Sequence, residues 1–416
     1  MKIAVIGAGI SGMTIAKLLS PQNEIIVYES NSRPGGLIKC DNINGSLFHR
    51  TGGHVFNSKR EDVLNWFWKQ FNKDTEFTKA LRYSTVHLNE KLEIPYPIEN
   101  HAYMLGDQLL NKIIIDLLNI YKKGETEFTN FEEFLKGRFG ETLYELYFQP
   151  YNYKIWRRSL TGVPLTWLEG KLPMPSVQEI IYNNINHIEE RTFVHSSFYY
   201  PKNGGSQFVA DRLAEGLNII YNTHIESVER KDSIWSVNGR YFDKIIYCGN
   251  IKQIPQLLNK SVDILPYNKS IDNLQYHGTT AVFCEIDANN YSWIYLPNQS
   301  YESHRIICTG NFSNSNNVPG KMTASIEFTD FFSEEDIKKN LKKMPYSPHY
   351  LTHHFEKYTY PIQDKDTRNM IQSLKKRLKE QGFYLLGRFA EWEYYNMDVA
   401  MGAALDLFEQ NFQKQQ

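Results

Sequence analysis

The first 29 residues constrain this chain more than any other stretch. Lys2-Ile3-Ala4-Val5-Ile6 is a short apolar run rich in β-branched residues, and it leads straight into Gly7-Ala8-Gly9-Ile10-Ser11-Gly12. Met13–Leu19 then has helical character, and a second apolar run, Glu24–Tyr28, ends at Glu29. Strand, glycine turn, helix, strand and acid, in that order, are the parts of a dinucleotide-binding fold. Gly7 permits the tight turn, Gly9 lets a pyrophosphate approach the backbone, and Gly12 lets helix and strand pack closely. The helix N-terminus, with Ser11 in its first turn, offers free N–H groups to phosphate oxygens. Glu29 stands where a carboxylate accepts ribose hydroxyls. Glycine turns arise for many reasons, and it is the flanking order that makes this one specific.

At 416 residues the chain is too long for one typical domain, so two or three units are expected. A net charge of -1 argues against nucleic acid as the main partner. No run of about 18 apolar residues occurs, so no transmembrane segment is expected. The N-terminus reads as a strand rather than a secretory leader. Cys40, Cys248, Cys284 and Cys308 are far apart, without metal-ligand spacing, which implies a reducing compartment, a cytoplasmic location and no structural metal. Homo-oligomerisation is left open. Aromatic residues make up 14%, which suits either a stacking cleft or a tyrosine-rich core.

Further along, Arg82–Leu88 and Lys91–Ile94 read as a hairpin ended by Pro95-Tyr96-Pro97. Residues 104–190 are mostly helical, with one helix expected over Glu141–Gln149 and stopped by Pro150. The block Tyr147-Phe148-Gln149-Pro150-Tyr151-Asn152-Tyr153-Lys154-Ile155-Trp156-Arg157-Arg158 alternates rings and cations. It suits a base and a pyrophosphate, and equally a helix corner with snorkelling cations. Residues 199–260 return to the nucleotide unit, with a helix after Gly204-Gly205 and a buried strand at Asp243–Gly249. Alternating strands over 274–330 suggest an antiparallel sheet. Helix Thr367–Lys379 carries a cationic face, read as solvated. Strand Phe383–Leu386 precedes Gly387-Arg388, and a last helix begins near Asn396-Met397-Asp398, whose Asn and Asp suit its N-terminus.

The segments combine as a mixed α/β fold: a Rossmann-like domain in three pieces (1–95, 191–270 and 366–416), a helical substrate-binding insertion (96–190) and an antiparallel sheet domain (271–365).

Several blocks carry a family resemblance. Glu29 followed by Arg33-Pro34-Gly35-Gly36 resembles the FAD-binding start of the amine-oxidase and sugar-nucleotide mutase flavoproteins. Gly52-Gly53-His54-Val55-Phe56 resembles the loop against the isoalloxazine in UDP-galactopyranose mutases, and Pro150–Trp156 resembles their uridine-binding stretch. Trp167-Leu168-Glu169-Gly170-Lys171 resembles a block in which that family has an Arg on the diphosphate. Tyr199-Tyr200-Pro201 opens a similar Tyr-Pro-x-x-Gly-Gly turn, and Gly387–Asp398 resembles the family's C-terminal block, with Glu393 where Arg is common.

The resemblance implies FAD, reduced for activity, and a nucleotide-sugar substrate, most simply UDP-galactopyranose. It implies pyranose–furanose isomerisation through an adduct between flavin N5 and sugar C1, with His54, Arg388 and Tyr394 as catalytic residues. The implied FAD contacts are Gly7, Gly9, Ser11, Gly12, Glu29, Arg33, Gly35, Gly36, Gly53, His54, Val228, Arg388, Asn396, Met397 and Asp398. The implied substrate contacts are Tyr96, Phe148, Tyr151, Trp156, Lys171, Tyr200, Tyr360 and Tyr394. Another UDP- or dTDP-sugar, an amine or porphyrinogen oxidase, and an idle flavoprotein that binds a nucleotide are the alternatives.

Overall fold

A computed structural model describes residues 1–124, 126–165, 175–188, 197–258 and 261–413. Lys2–Ile6 is the middle strand of a five-stranded sheet in the order Phe383–Leu385, Lys244–Tyr247, Lys2–Ile6, Glu24–Tyr28, Ile219–Ile220. All four pairings are parallel, in register Ile3 with Lys244 and with Ile25. Parallel strands buried on both faces need continuous apolar runs, which Lys2–Ile6 and Glu24–Tyr28 supply. One face carries helices Ile10–Leu19, Gly205–Ala214 and Met397–Asn411 around Met13, Val209 and Met401. The other is covered by Trp235, Phe242 and helix Thr367–Lys379 through Ile371 and Leu374.

A second sheet has seven strands, ordered His349–Ile362, Gln275–Glu285, Thr323–Thr329, Arg305–Ile307, Trp293–Tyr295, Ser84–Asn89, Leu92–Pro95. Two expectations change here. The hairpin Ser84–Pro95, assigned from sequence to the first nucleotide-binding segment, is hydrogen-bonded into this sheet. The sheet is also mixed rather than antiparallel, because Trp293–Tyr295 runs parallel to Ser84–Val86.

The insertion is helical, with Asp107–Lys123, Phe131–Phe139, Gln149–Trp156 and Val177–Asn186 around a core that includes Phe134, Phe148 and Trp156. Pro150 does not end a helix. Residues Tyr144–Phe148 form a π turn, marked by Gln149 N–H donating to Tyr144 O, and a new α-helical run starts at Gln149. Pro150 falls in its first turn, where a missing N–H costs little. Among the described residues, no helix is long and apolar enough to cross a membrane.

Candidate functional site

Two cavities meet between the sheets. The first, of about 330 Å³, runs along the glycine turn and is lined by Gly9, Ser11, Gly12, Asn31, Gly35, Gly36, Lys39, Arg50, Gly249 and Glu356. The second, of about 200 Å³, is lined by Gly52, Gly53, Arg82, Trp293, Arg305, Glu327, Tyr360 and Tyr394. Leu37, Thr51, His54, Arg388, Tyr395, Asn396 and Met397 line both. Asp398 lines the second, and burial raises its pKa.

The glycine wall has the closeness a dinucleotide needs. A Cβ on Gly12 would lie 2.0 Å from Gly7 O, so nothing larger lets the helix start there. Gly36, at φ +57, brings its backbone against Gly9. Glu29 lies behind this wall: Oε2 accepts from Ala8 N–H at 2.8 Å, and Oε1 accepts from Asn31 N–H at 2.9 Å.

His54 lies where the cavities join. Its N–H donates to His49 Nδ1 at 3.1 Å, and its ring bonds the Thr51 backbone. Its Nε2 is buried without a partner. Burial, aided by Arg388, lowers its pKa to about 4, so the ring is neutral with an open lone pair. His49 is fully buried and lowered to about 3, mainly by burial. Because its Nδ1 accepts, its Nε2 carries the proton and donates to Tyr200 Oη at 2.7 Å.

The cavity wall is a column of rings and cations. The Arg388 guanidinium lies 4.0 Å from the Tyr394 ring centroid, and Tyr394 stacks on Tyr360 at 5.4 Å and 10°. Arg305 Nη2 then donates to Tyr360 Oη at 3.1 Å. Arg305 Nε donates to Glu327, whose other oxygen accepts from Gly52 N–H at 2.7 Å. Burial raises the Glu327 carboxyl's pKa, but the charges and hydrogen bonds of Arg305 and His304 together outweigh it and hold the group well below the usual carboxylate range. Arg388 Nε is buried without a partner. Arg82 stacks on Trp293 at 4.7 Å and donates to Tyr295 Oη at 2.5 Å.

Several implied contacts lie elsewhere. Arg33 does not line either cavity: its guanidinium is bound to Asp41 at 2.5 Å. Val228 is not beside the dinucleotide cavity. Its N–H donates to Leu257 O at 3.0 Å, its carbonyl accepts from Ser261 Oγ, and the next strand starts at Glu229. Tyr200 is fully buried, with its hydroxyl taken by His49 and Asn316. Asn396 occupies the N-cap of the last helix, but its side chain makes no capping bond.

Tyr96, Phe148, Tyr151 and Trp156 lie in one aromatic cluster of the helical core, off both cavity walls. Tyr151 stacks on Tyr147 at 5.4 Å and meets Tyr295 edge-on, and Tyr96 lies 4.8 Å from Tyr295. Lys154 supports the cluster's helix from behind, donating to the carbonyls of Leu296 and Ser303. Lys171 lies outside the described residues. Glu393, the charge reversal, is held by Arg368 Nε at 2.8 Å and does not line a cavity.

Arg82, Arg305 and Glu327 were not anticipated from the sequence. A signal existed for Glu327, an acid inside the apolar strand Thr323–Thr329, every residue of which is buried.

Residues 5–71 match the NAD(P)-binding Rossmann-like domain family. The crystal structure of reduced UDP-galactopyranose mutase superposes with a TM-score of 0.85, at 20% identity, covering 100% of this chain and 94% of that one. The chain has the UDP-galactopyranose mutase fold. Curated proteins are similar along the same length. A UDP-galactopyranose mutase of Mycoplasma genitalium is 21% identical over 96% of this chain and 92% of its own. A dTDP-fucopyranose mutase of Escherichia coli is 22% identical over 97% of each. The resemblance to the UDP-galactopyranose mutase family therefore runs through nearly the whole chain.

Proposed function

We propose that this protein is a flavin-dependent isomerase that interconverts the pyranose and furanose forms of a nucleotide sugar. The observation that carries the reading is the join between the cavities. His54 Nε2 and Arg388 Nε are both buried there without partners, between a dinucleotide wall and a wall bearing arginines. Buried polar atoms without partners are costly, and a bound group satisfies them.

The residues present fit FAD. Gly9, Ser11, Gly12, Gly35 and Gly36 would hold its phosphates, and Arg388, His54 and the N-terminus at Asn396-Met397-Asp398 would hold its ring. Reduced flavin, when bound, supplies the nucleophile that exchanges with the diphosphate at the sugar's anomeric carbon.

The chain's part is electrostatic and steric. Arg305 and Arg388, with Arg82 beside them, face a leaving diphosphate from fixed positions, so its charge is met without reorganisation. Tyr360 and Tyr394 hold phenols between those cations. Neutral His54 offers an acceptor, while Leu37, Val55, Phe198 and Trp293 keep water from the reacting carbon. Tyr151 and Trp156, packed in the cluster off both cavities, would meet the base only where that cluster opens. UDP-galactose is the first choice of substrate, because a curated relative and the matching solved structure are both named for it, with dTDP-sugars next after the second relative.

The test is to incubate dithionite-reduced protein with UDP- and dTDP-pyranoses and their furanose isomers, then separate the products. Ring-size isomers of one nucleotide sugar are expected, with little turnover by oxidised protein. Equal turnover in both redox states, or no isomer from any donor, sinks the reading.

A further inference from the structure

Lys39 is an unusual lysine. It is 4% exposed, lines the dinucleotide cavity, and among the described residues its ammonium makes no hydrogen bond or ion pair. A lysine buried without a counter-ion is disfavoured unless an anion arrives. Burial lowers its pKa, Arg50 and Arg33 add to the shift, and Glu29 and, more weakly, Glu356 oppose it.

Its neighbours fix which part of the cavity it serves. The stem lies against Gly35, where an added Cβ would come 3.2 Å from Lys39 Cγ. Gly35 N–H in turn donates to Ala8 O in the first glycine turn at 2.9 Å. The charges that bear on Lys39 are Glu29, Arg50, Arg33 and Glu356. Those that bear on His54, at the other end, are Arg388, Glu327 and Arg305. Lys39 therefore belongs to the glycine-turn end, away from the join.

The other cations at that end, Arg33 and Arg50, share one carboxylate, and Arg50 still lines the cavity. Asp41 takes Arg33 at 2.5 Å and Arg50 at 2.6 Å through its two oxygens. Arg33, the cation that the Arg-Pro-Gly-Gly pattern points to, is thereby turned off the cavity wall.

We propose that Lys39 is the cation that pairs with the pyrophosphate of the bound dinucleotide. This rests on the flavin reading. A flexible ammonium suits the role, since it meets a tetrahedral phosphate as a point charge rather than through a planar fork.

The experiment titrates deflavinated full-length protein with FAD, following flavin fluorescence, and measures the midpoint potential of the bound flavin. Lys39→Met is expected to weaken FAD by roughly tenfold to a hundredfold, the scale of one charge-assisted hydrogen bond. Lys39→Arg should recover most of that loss, Arg33→Met should stay within a few-fold of wild type, and the potential should not move. Near-UV circular dichroism checks the fold, with Lys39→Gln as the substitute if Lys39→Met does not fold. Wild-type affinity should fall with salt, and less steeply once Lys39 is neutral. Unchanged FAD affinity in Lys39→Met overturns the proposal, as does a loss accompanied by a shifted potential, which would put the ammonium at the ring. Wild-type protein that binds no FAD at all would instead sink the cofactor reading itself.

Discussion

The arginine-lined cavity and the tyrosine cluster beside it are built in opposite ways. In the cavity, His54 Nε2 and Arg388 Nε are buried ahead of any ligand, and Arg305 is held in place by Glu327. In the cluster, Tyr96, Tyr147, Tyr151 and Tyr295 pack ring against ring, and burial pushes the hydroxyls of Tyr96, Tyr147 and Tyr151 up in pKa. The difference separates two kinds of readiness. The cavity is preorganised for charge, which water would otherwise screen. The cluster is closed on itself, so a base enters only by taking a ring's place in a stack, which exchanges one aromatic contact for another.

Substitutions at the two places should fail in different ways. The largest effect is expected from Arg305→Met, which leaves Glu327 buried without its partner. Breaking such a pair costs about 3–5 kcal/mol, and chemical denaturation should read it directly. Unchanged stability would mean that Glu327 is not charged. Tyr394→Phe removes one donor from the ring column and should lower turnover by about 10²–10³ while flavin stays bound. Full activity would take that hydroxyl out of the reaction. Tyr151→Leu should weaken UDP by ~1–3 kcal/mol in calorimetry and leave the flavin spectrum alone. A changed spectrum with unaltered UDP affinity would erase the distinction between the two regions.

The remaining expected effect, a pH dependence of stability, belongs to the fold rather than to either region. His49, His54 and His304 are lowered by burial to about 3, 4 and 4. The unfolded chain takes up protons near pH 6.5 and the folded chain does not, so stability falls as pH drops from there toward 4. The slope is about 1.4 kcal/mol per pH unit for each histidine. Glu327 acts in the same direction lower down, since its contribution is present above the ordinary carboxylate range and lost beneath it. A denaturation midpoint that is flat between pH 6.5 and 5 would place these rings in water.

The nucleotide-binding half was legible because its signals are local. Strand, glycine turn, helix and acid lie within 29 residues, and each has a steric or dipolar reason visible in the letters. The hairpin Ser84–Pro95 was misplaced because its partner strand, Trp293–Tyr295, lies about 200 residues away, beyond any periodicity. Arg33 and Val228 were misassigned for a related reason. Their competitors, Asp41 and Leu257, are recognised only once the chain is folded. Arg305 went unread because a single cation on a short strand looks like a solvated edge until Glu327 is seen opposite it.

Glu327 has a last consequence. One of its oxygens holds Arg305 and the other holds the N–H of Gly52, two residues from His54. A ligand anion that draws Arg305 toward itself loosens the carboxylate's hold on that arginine and frees it to tighten on the loop. By thermodynamic reciprocity, whatever settles the loop around His54 must change the affinity of Arg305 for the anion by the same factor. The two ends of the site are then linked through a single side chain, and each reports the occupancy of the other.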